Sequence, residues 1–366
     1  MSKANDKYFT EGEKRAYSLG NRGKIKFDAA GNLSEEILNA YWRNGFYIFT
    51  DLLSVEEQLD LKSEFEALMK RAYESNFMTT HLSKGSEQTF KIDGCVFSLS
   101  KPLADPLGGQ GRYEVRMQEH DIPNDAPSKI ITNINRPFLC MTSFLRLYGH
   151  PELLKIAEAI NGEDFTPFNE SVWIKPAGLG TSTSWHQDGT THWDNPKLDA
   201  GTHGFNFMAQ LYTTNPINAL WVVPGTHNIG KIDIKIRKVA GGGTDHFLDA
   251  VPMLCNPADV VISNRQVLHA SFANLSKIPR VTLAFGFHRK ISVLGVQKVG
   301  KEPYNEQRIL DRAQIIPLAV EARRQKYPEE LSYIYQPLSE ESKHIRWNAK
   351  TKRTVLDRYW ENNLSI

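Results

Sequence analysis

Eleven histidines and 42 acidic residues in a chain of 366 make an isolated His-x-acid triplet an expected accident. The chain has three such triplets, His150-Pro-Glu152, His186-Gln-Asp188 and His192-Trp-Asp194, so the motif needs context before it means anything. His150-Pro-Glu152 has the form of a turn entering a helix. The other two follow the β-rich run SVWIK (171–175). Residues i and i+2 of a strand project from one face, so His186 and Asp188 can grip one ion from adjacent positions. A mononuclear iron site of two histidines and one carboxylate needs a further imidazole and keeps positions open for co-substrate and oxygen. That imidazole must come from another strand, and His269, ending the run DVVISNRQVLH, is the best donor. His192 and Asp194 form a rival metal pair, or lie in the loop beyond the ligands and line the entrance.

The elements that must position these residues are legible as alternation and capping. Short β-rich runs (SVWIK, FNFMAQLY, ALWVV, DVVIS, RVTLAFGF) occupy 168–294, separated by turn residues rather than helices. That spacing predicts a β-sandwich or barrel, not βαβ units. Upstream, Ser34 can cap a helix carrying Ile37, Leu38, Tyr41 and Trp42 that stops at Gly45. FYIF (46–49) reads as a strand, and Ser54 with Glu57 forms a capping box for a second helix. A third helix is expected over about 151–161. Residues 76–130 read as mixed and loop-rich, and 305–366 as helical with mixed charge. The first 32 residues are polar and are expected to form an extended arm on the surface.

In order and spacing, SWHQDG (184–189), LWVVPGTHNIGK (220–231) and ADVVISNRQVLHASFANLSKIPRVTLAF (258–285) resemble the phytanoyl-CoA dioxygenase-like branch of the iron(II)/2-oxoglutarate oxygenases. LSEEILNAYWRNGFYIFTDLLSVEEQ resembles that family's N-terminal opening. The resemblance implies a mainly β fold with α, a double-stranded β-helix (jelly-roll, cupin-like) core with flanking N- and C-terminal helices. It implies iron(II) on His186, Asp188 and His269, and 2-oxoglutarate as co-substrate with Arg280 on its distal carboxylate. Related halogenases have Gly or Ala where this chain has Asp188, so halogenation is disfavoured. The implied reaction hydroxylates a small molecule with O2 and releases succinate and carbon dioxide, with desaturation and ring formation as other outcomes.

Alternation within RVTLAFGFH agrees with that assignment: Arg280, Thr282, Ala284, Gly286 and His288 share one face, and Val281, Leu283, Phe285 and Phe287 share the other. The second set is a core face, and the first suits a cavity wall. Arg280 offers a planar fork for a carboxylate, with the Thr282 hydroxyl beside it. Phe207 takes a position where the family often has an aromatic near the co-substrate; an ordinary core position is the other reading. Ser171, Trp173 and Lys175 share one strand face, either the inner or the outer one; on the inner reading Ser171 is expected beside the co-substrate and Trp173 beside the primary substrate. Arg265 has the parity of His269, so an unbroken strand aims it into the cavity, where it would bind an anionic group of the substrate. A salt bridge at the rim is the alternative.

Composition bounds the rest. With 44 Lys+Arg against 42 Asp+Glu the net charge is +2, which argues against a chain built to coat nucleic acid or an anionic membrane. No stretch approaches 18 apolar residues, and the N-terminus has no apolar signal core. Cys95, Cys140 and Cys255 have no paired spacing and are expected as free thiols in a reducing compartment, the cytoplasm. The whole chain, 1–366, is expected to be one oxygenase domain: an arm (1–32), a helical and substrate-loop region (33–165), the jelly roll (166–294) and a helical extension (295–366). The expected partners are a small-molecule substrate and O2, with 76–130 and 305–366 supplying substrate loops or a homodimer contact. Two other readings remain: a metal-dependent hydrolase or isomerase on the same fold, and a non-catalytic small-molecule binding protein.

Overall fold

The computed structural model describes residues 3–75, 88–189, 199–297 and 302–363. Two sheets face each other across a cavity. The larger has nine strands, in spatial order β1 (Arg22–Gly23), β2 (Phe46–Phe49), β11 (Val260–Asn264), β8 (Gly204–Gln210), β13 (Arg280–His288), β6 (Thr166–Lys175), β5 (Ile130–Asn135), β4 (Cys95–Ser100) and β3 (Gln88–Ile92). The smaller has four, β10 (Val251–Pro252), β9 (Trp221–Val223), β12 (Leu268–Ser271) and β7 (Thr183–His186). Pairing is antiparallel throughout, except that β1 runs parallel to β2. This is the jelly roll, and its β-rich runs fall where alternation placed them.

The pleat divides the residues of β13 as expected. Val281, Leu283, Phe285 and Phe287 are buried in the main core with Phe205, Phe207 and Ala209 of β8. That core continues into the helices at 35–44, 55–74, 142–148, 151–161 and 315–326, which cover the outer face of the large sheet. Helix boundaries follow from local chemistry. Gly45 closes the first of these helices with φ 81°, a left-handed conformation natural to glycine, and its N–H donates to Tyr41 O. Ser54 and Glu57 form both bonds of a capping box. Among the described residues, no helix is long and apolar enough to cross a membrane.

Two expectations are corrected. Residues 3–18 are not an extended arm but a helix (Lys3–Ser18). Its Tyr8 and Phe9 are buried against the outer face of the small sheet, where Tyr8 stacks on Trp221 at 4.7 Å between ring centres. Gly12 permits this approach, because a Cβ there would lie 2.2 Å from Trp221 Cη2. The apolar periodicity of this helix is short and diluted by charge, which hides it in the sequence. The second correction concerns 76–130. It contains the β3–β4 hairpin and leads into β5, and together these strands extend the large sheet beyond β6. The three cysteines are free thiols.

Candidate metal centre

β7 and β12 pair antiparallel with His186 directly opposite His269. This register places the two imidazoles 4.0 Å apart, although 83 positions separate them in sequence. β7 ends at His186, and Asp188 lies just past it, anchored by a hydrogen bond from its N–H to Arg265 O at 2.8 Å. One ligand atom from each of His186, Asp188 and His269 falls within 4.8 Å of the others.

Both rings are fixed in the same way. His186 Nδ1 donates to Ser184 O at 2.7 Å, and His269 Nδ1 donates to Val267 O at 2.8 Å. A proton held on Nδ1 leaves the Nε2 lone pair for a metal. Burial, reinforced by the neighbouring imidazole, holds His186 well below its ordinary pKa, and burial likewise lowers that of His269. Both are therefore neutral donors at physiological pH. Burial alone would raise the Asp188 pKa, but Arg112 and the two histidines outweigh it and keep the carboxyl ionised. Arg112 Nη1 lies 2.9 Å from Asp188 Oδ1, yet that oxygen is buried with no aligned hydrogen-bond donor. The contact is one of charge. Two neutral nitrogens and an undonated carboxylate oxygen are the donor set that iron(II) requires in a facial site, so the residues fit the metal.

These groups open onto a cavity of about 440 Å³ between the sheets. Its floor is the polar face of β13, β6 and β8: Arg280, Thr282, Ser171, Trp173, Asn206 and Gln210. Arg280 is 6% exposed and donates from Nη1 to Asn218 O at 3.1 Å, while its Nε has no partner. No carboxylate pairs with it among the described residues, and burial lowers its pKa to about 10. A buried guanidinium without a counter-ion, open to a cavity, is a receptor for an anion. The Thr282 hydroxyl beside it donates to Gln210 Oε1 at 2.8 Å.

Comparison with known proteins decides the family. The model of the phytanoyl-CoA dioxygenase (PhyH) family matches residues 41–282, about two thirds of the chain. The chain belongs to the phytanoyl-CoA dioxygenase family. It is accordingly an iron(II)/2-oxoglutarate-dependent oxygenase. Phytanoyl-CoA dioxygenase 1 of Oryza sativa subsp. japonica is 29% identical over 280 residues, covering 70% of this chain and 89% of its own. Among solved structures, EctD from S. alaskensis with bound Fe has a TM-score of 0.50 at 16% identity, covering 76% of this chain and 85% of its own. EctD with 2-oxoglutarate and 5-hydroxyectoine gives 0.51 at 15%, covering 77% and 83%. At that identity the likeness is one of fold.

Within this member of the PhyH family, several residues sit differently from expectation. Phe207 packs in the aromatic core, 5.4 Å from Phe285 between ring centres, on the face of β8 turned away from the cavity. Its neighbours Asn206 and Met208 take the cavity side. Arg265 is 1% exposed, and its Nη1 is shared between His203 Nε2 at 3.0 Å and His288 Nε2 at 2.5 Å. Its guanidinium also lies 3.7 Å from the centre of the Phe168 ring. With those partners Arg265 braces the wall behind Asp188 rather than presenting a free fork to a substrate. His192 and Asp194 lie outside the described residues. Ser171 and Trp173 face the cavity, and Trp173 is 40% exposed.

Sequence reasoning missed Arg112 and Tyr113. The Tyr113 ring packs on His186 at 4.4 Å, and Arg112 Nη2 donates to the Tyr113 hydroxyl at 3.0 Å. Their loop is pinned to β7 because Asp105 accepts bonds from Ser184 Oγ and from the Met117 N–H. Lone Arg-Tyr in a loop has no period, so the only signal was its place in a segment already set apart as a substrate-loop candidate.

Proposed function

We propose that this chain hydroxylates a small-molecule metabolite at a site where His186, Asp188 and His269 hold iron(II) and Arg280 holds 2-oxoglutarate. The observation that carries the reading is the opposed register of His186 and His269, with both Nδ1 protons committed to backbone carbonyls. Iron(II), when bound there, supplies the redox chemistry that couples oxidative decarboxylation of 2-oxoglutarate to oxidation of the substrate, releasing succinate and carbon dioxide.

The chain's own residues do the rest. Ser184 O and Val267 O hold the two imidazoles in the tautomer that offers Nε2. Arg280 would receive the distal carboxylate of 2-oxoglutarate, and the pair would neutralise a charge otherwise buried alone. The Thr282 hydroxyl, which donates to Gln210, lies beside Arg280 on the cavity wall. Tyr113 and the Arg112 guanidinium cover His186 and Asp188 from the loop side and limit access of water to the ligands.

The test is oxygen-dependent succinate formation from 2-oxoglutarate by protein given iron(II). It should occur at a low basal rate without substrate, and vanish in His186→Ala. Turnover that persists in that variant would reject the assignment.

A further inference from the structure

The charged side chains that line the cavity are Arg112, Arg136, Arg265, Arg280, Asp188 and Glu170. Four cations face two anions. A divalent metal and a dianionic co-substrate cancel each other, so loading the site leaves the same cationic excess for the third component. Three of the arginines have occupations: Arg112 on Asp188, Arg265 between two imidazoles, Arg280 for 2-oxoglutarate. Arg136 has none, and its guanidinium makes no hydrogen bond or ion pair among the described residues.

Arg136 is nonetheless held. It follows the last residue of β5 and adopts φ 60°, ψ 39°, a left-handed conformation that a bulky residue rarely takes, and takes least readily before a proline such as Pro137. Its guanidinium carbon sits 5.0 Å from the centre of the Trp360 ring. Trp360 is fixed in turn, because its Nε1 donates to Glu170 Oε1 at 2.9 Å. Backbone strain that presents a side chain into a cavity is characteristic of ligand sites. Trp360 and Asn363 belong to the C-terminal segment, beyond the residues 41–282 that the family model matches, and line this end of the cavity.

We propose that Arg136, clamped on Trp360, binds an anionic group of the primary substrate, a carboxylate or a phosphate. The inference rests on the oxygenase reading of the same cavity. The guanidinium is exposed enough to meet an incoming anion, and the Trp360 face limits its rotamers, so little freedom is lost on binding. Arg265 was the residue of choice for this role by strand parity, and its engagement with His203 and His288 passes the role to Arg136.

The experiment measures binding of hexanoate, hexyl phosphate and neutral hexanamide to the full chain, by calorimetry and by quenching of tryptophan fluorescence, with cobalt(II) and 2-oxoglutarate present. Both anions should bind at least tenfold more tightly than hexanamide, and the tighter of the two names the class. Arg136→Gly suits the left-handed backbone and so keeps the fold; it should remove that preference while leaving 2-oxoglutarate affinity unchanged. Arg136→Lys should retain part of it. Hexanamide binding as tightly as the anions, or anion affinity unchanged in Arg136→Gly, would overturn the proposal. Failure of the oxygenase reading looks different: 2-oxoglutarate would then bind no more weakly to Arg280→Met than to the unaltered protein.

Discussion

Replacing Arg280 by methionine should make the protein more stable and its co-substrate binding much weaker. The guanidinium is buried with one hydrogen bond, to Asn218 O, and no counter-ion among the described residues. Burial brings its pKa down to about 10, a shift equivalent to about 3 kcal/mol against the folded charged form. The sign follows from protonation: the folded pKa is below the unfolded one, so the penalty is complete at every pH below 10 and fades only above it. Methionine removes the charge and keeps most of the volume, but leaves the Asn218 carbonyl short of a donor, which costs about 1 kcal/mol. The net is a gain of about 2 kcal/mol without ligand. Relief extends to Lys175, buried nearby, whose pKa is depressed by burial and by the Arg280 charge. With 2-oxoglutarate the order reverses. Loss of a buried bidentate pair weakens affinity by about 3 kcal/mol, or roughly a hundredfold. Thermal melts with and without 2-oxoglutarate in the presence of cobalt(II) read both effects. At a hundred times the dissociation constant the unaltered protein gains about 3 kcal/mol, and the variant gains almost nothing. A variant less stable than its parent without ligand, or one still stabilised by 2-oxoglutarate, would refute the reasoning.

Other outcomes follow from the same packing. Gly12→Ala places a methyl 2.2 Å from Trp221 Cη2; despite the better helix propensity of alanine, it should lower stability by about 1–3 kcal/mol, read as the midpoint of urea unfolding. His227 is buried with Nε2 3.0 Å from Trp42 O, and burial lowers its pKa to about 4. The unfolded chain therefore takes up a proton that the folded one refuses between pH 6.5 and about 4, so stability falls with acid, by about 1.5 kcal/mol from pH 6.5 to 5. His227→Gln should remove that part of the slope in urea titrations at the two pH values; an unchanged slope would assign the acid sensitivity elsewhere.

What could be read in the sequence was what has a period or a motif. Alternation in RVTLAFGFH separated Arg280 and Thr282 from the core face, and the structure keeps that division. Gly45 and the Ser54–Glu57 capping box marked where one helix ends and the next begins, while Ser34 stands at the first helix's N-cap position without its side chain making a capping bond. Parity misled where the chain leaves the strand. β11 ends at Asn264, one residue before Arg265, and although Arg265 does reach the cavity wall, its Nη1 is taken by His203 and His288, which strand parity could not show. Phe207 was drawn from the resemblance, but β8 registers Phe207 against Phe285, which commits both to the core. Arg112, Tyr113, Arg136 and Trp360 were out of reach because tertiary structure alone assembles them. They come from a loop, a strand end and a C-terminal helix that meet at one cavity.

The most direct measurement is anomalous diffraction from crystals grown anaerobically with manganese(II) and 2-oxoglutarate. One strong peak should lie within ligand distance of His186 Nε2, His269 Nε2 and an Asp188 oxygen, with the co-substrate's far carboxylate on Arg280. A peak elsewhere, or 2-oxoglutarate bound away from Arg280, would contradict the assigned centre.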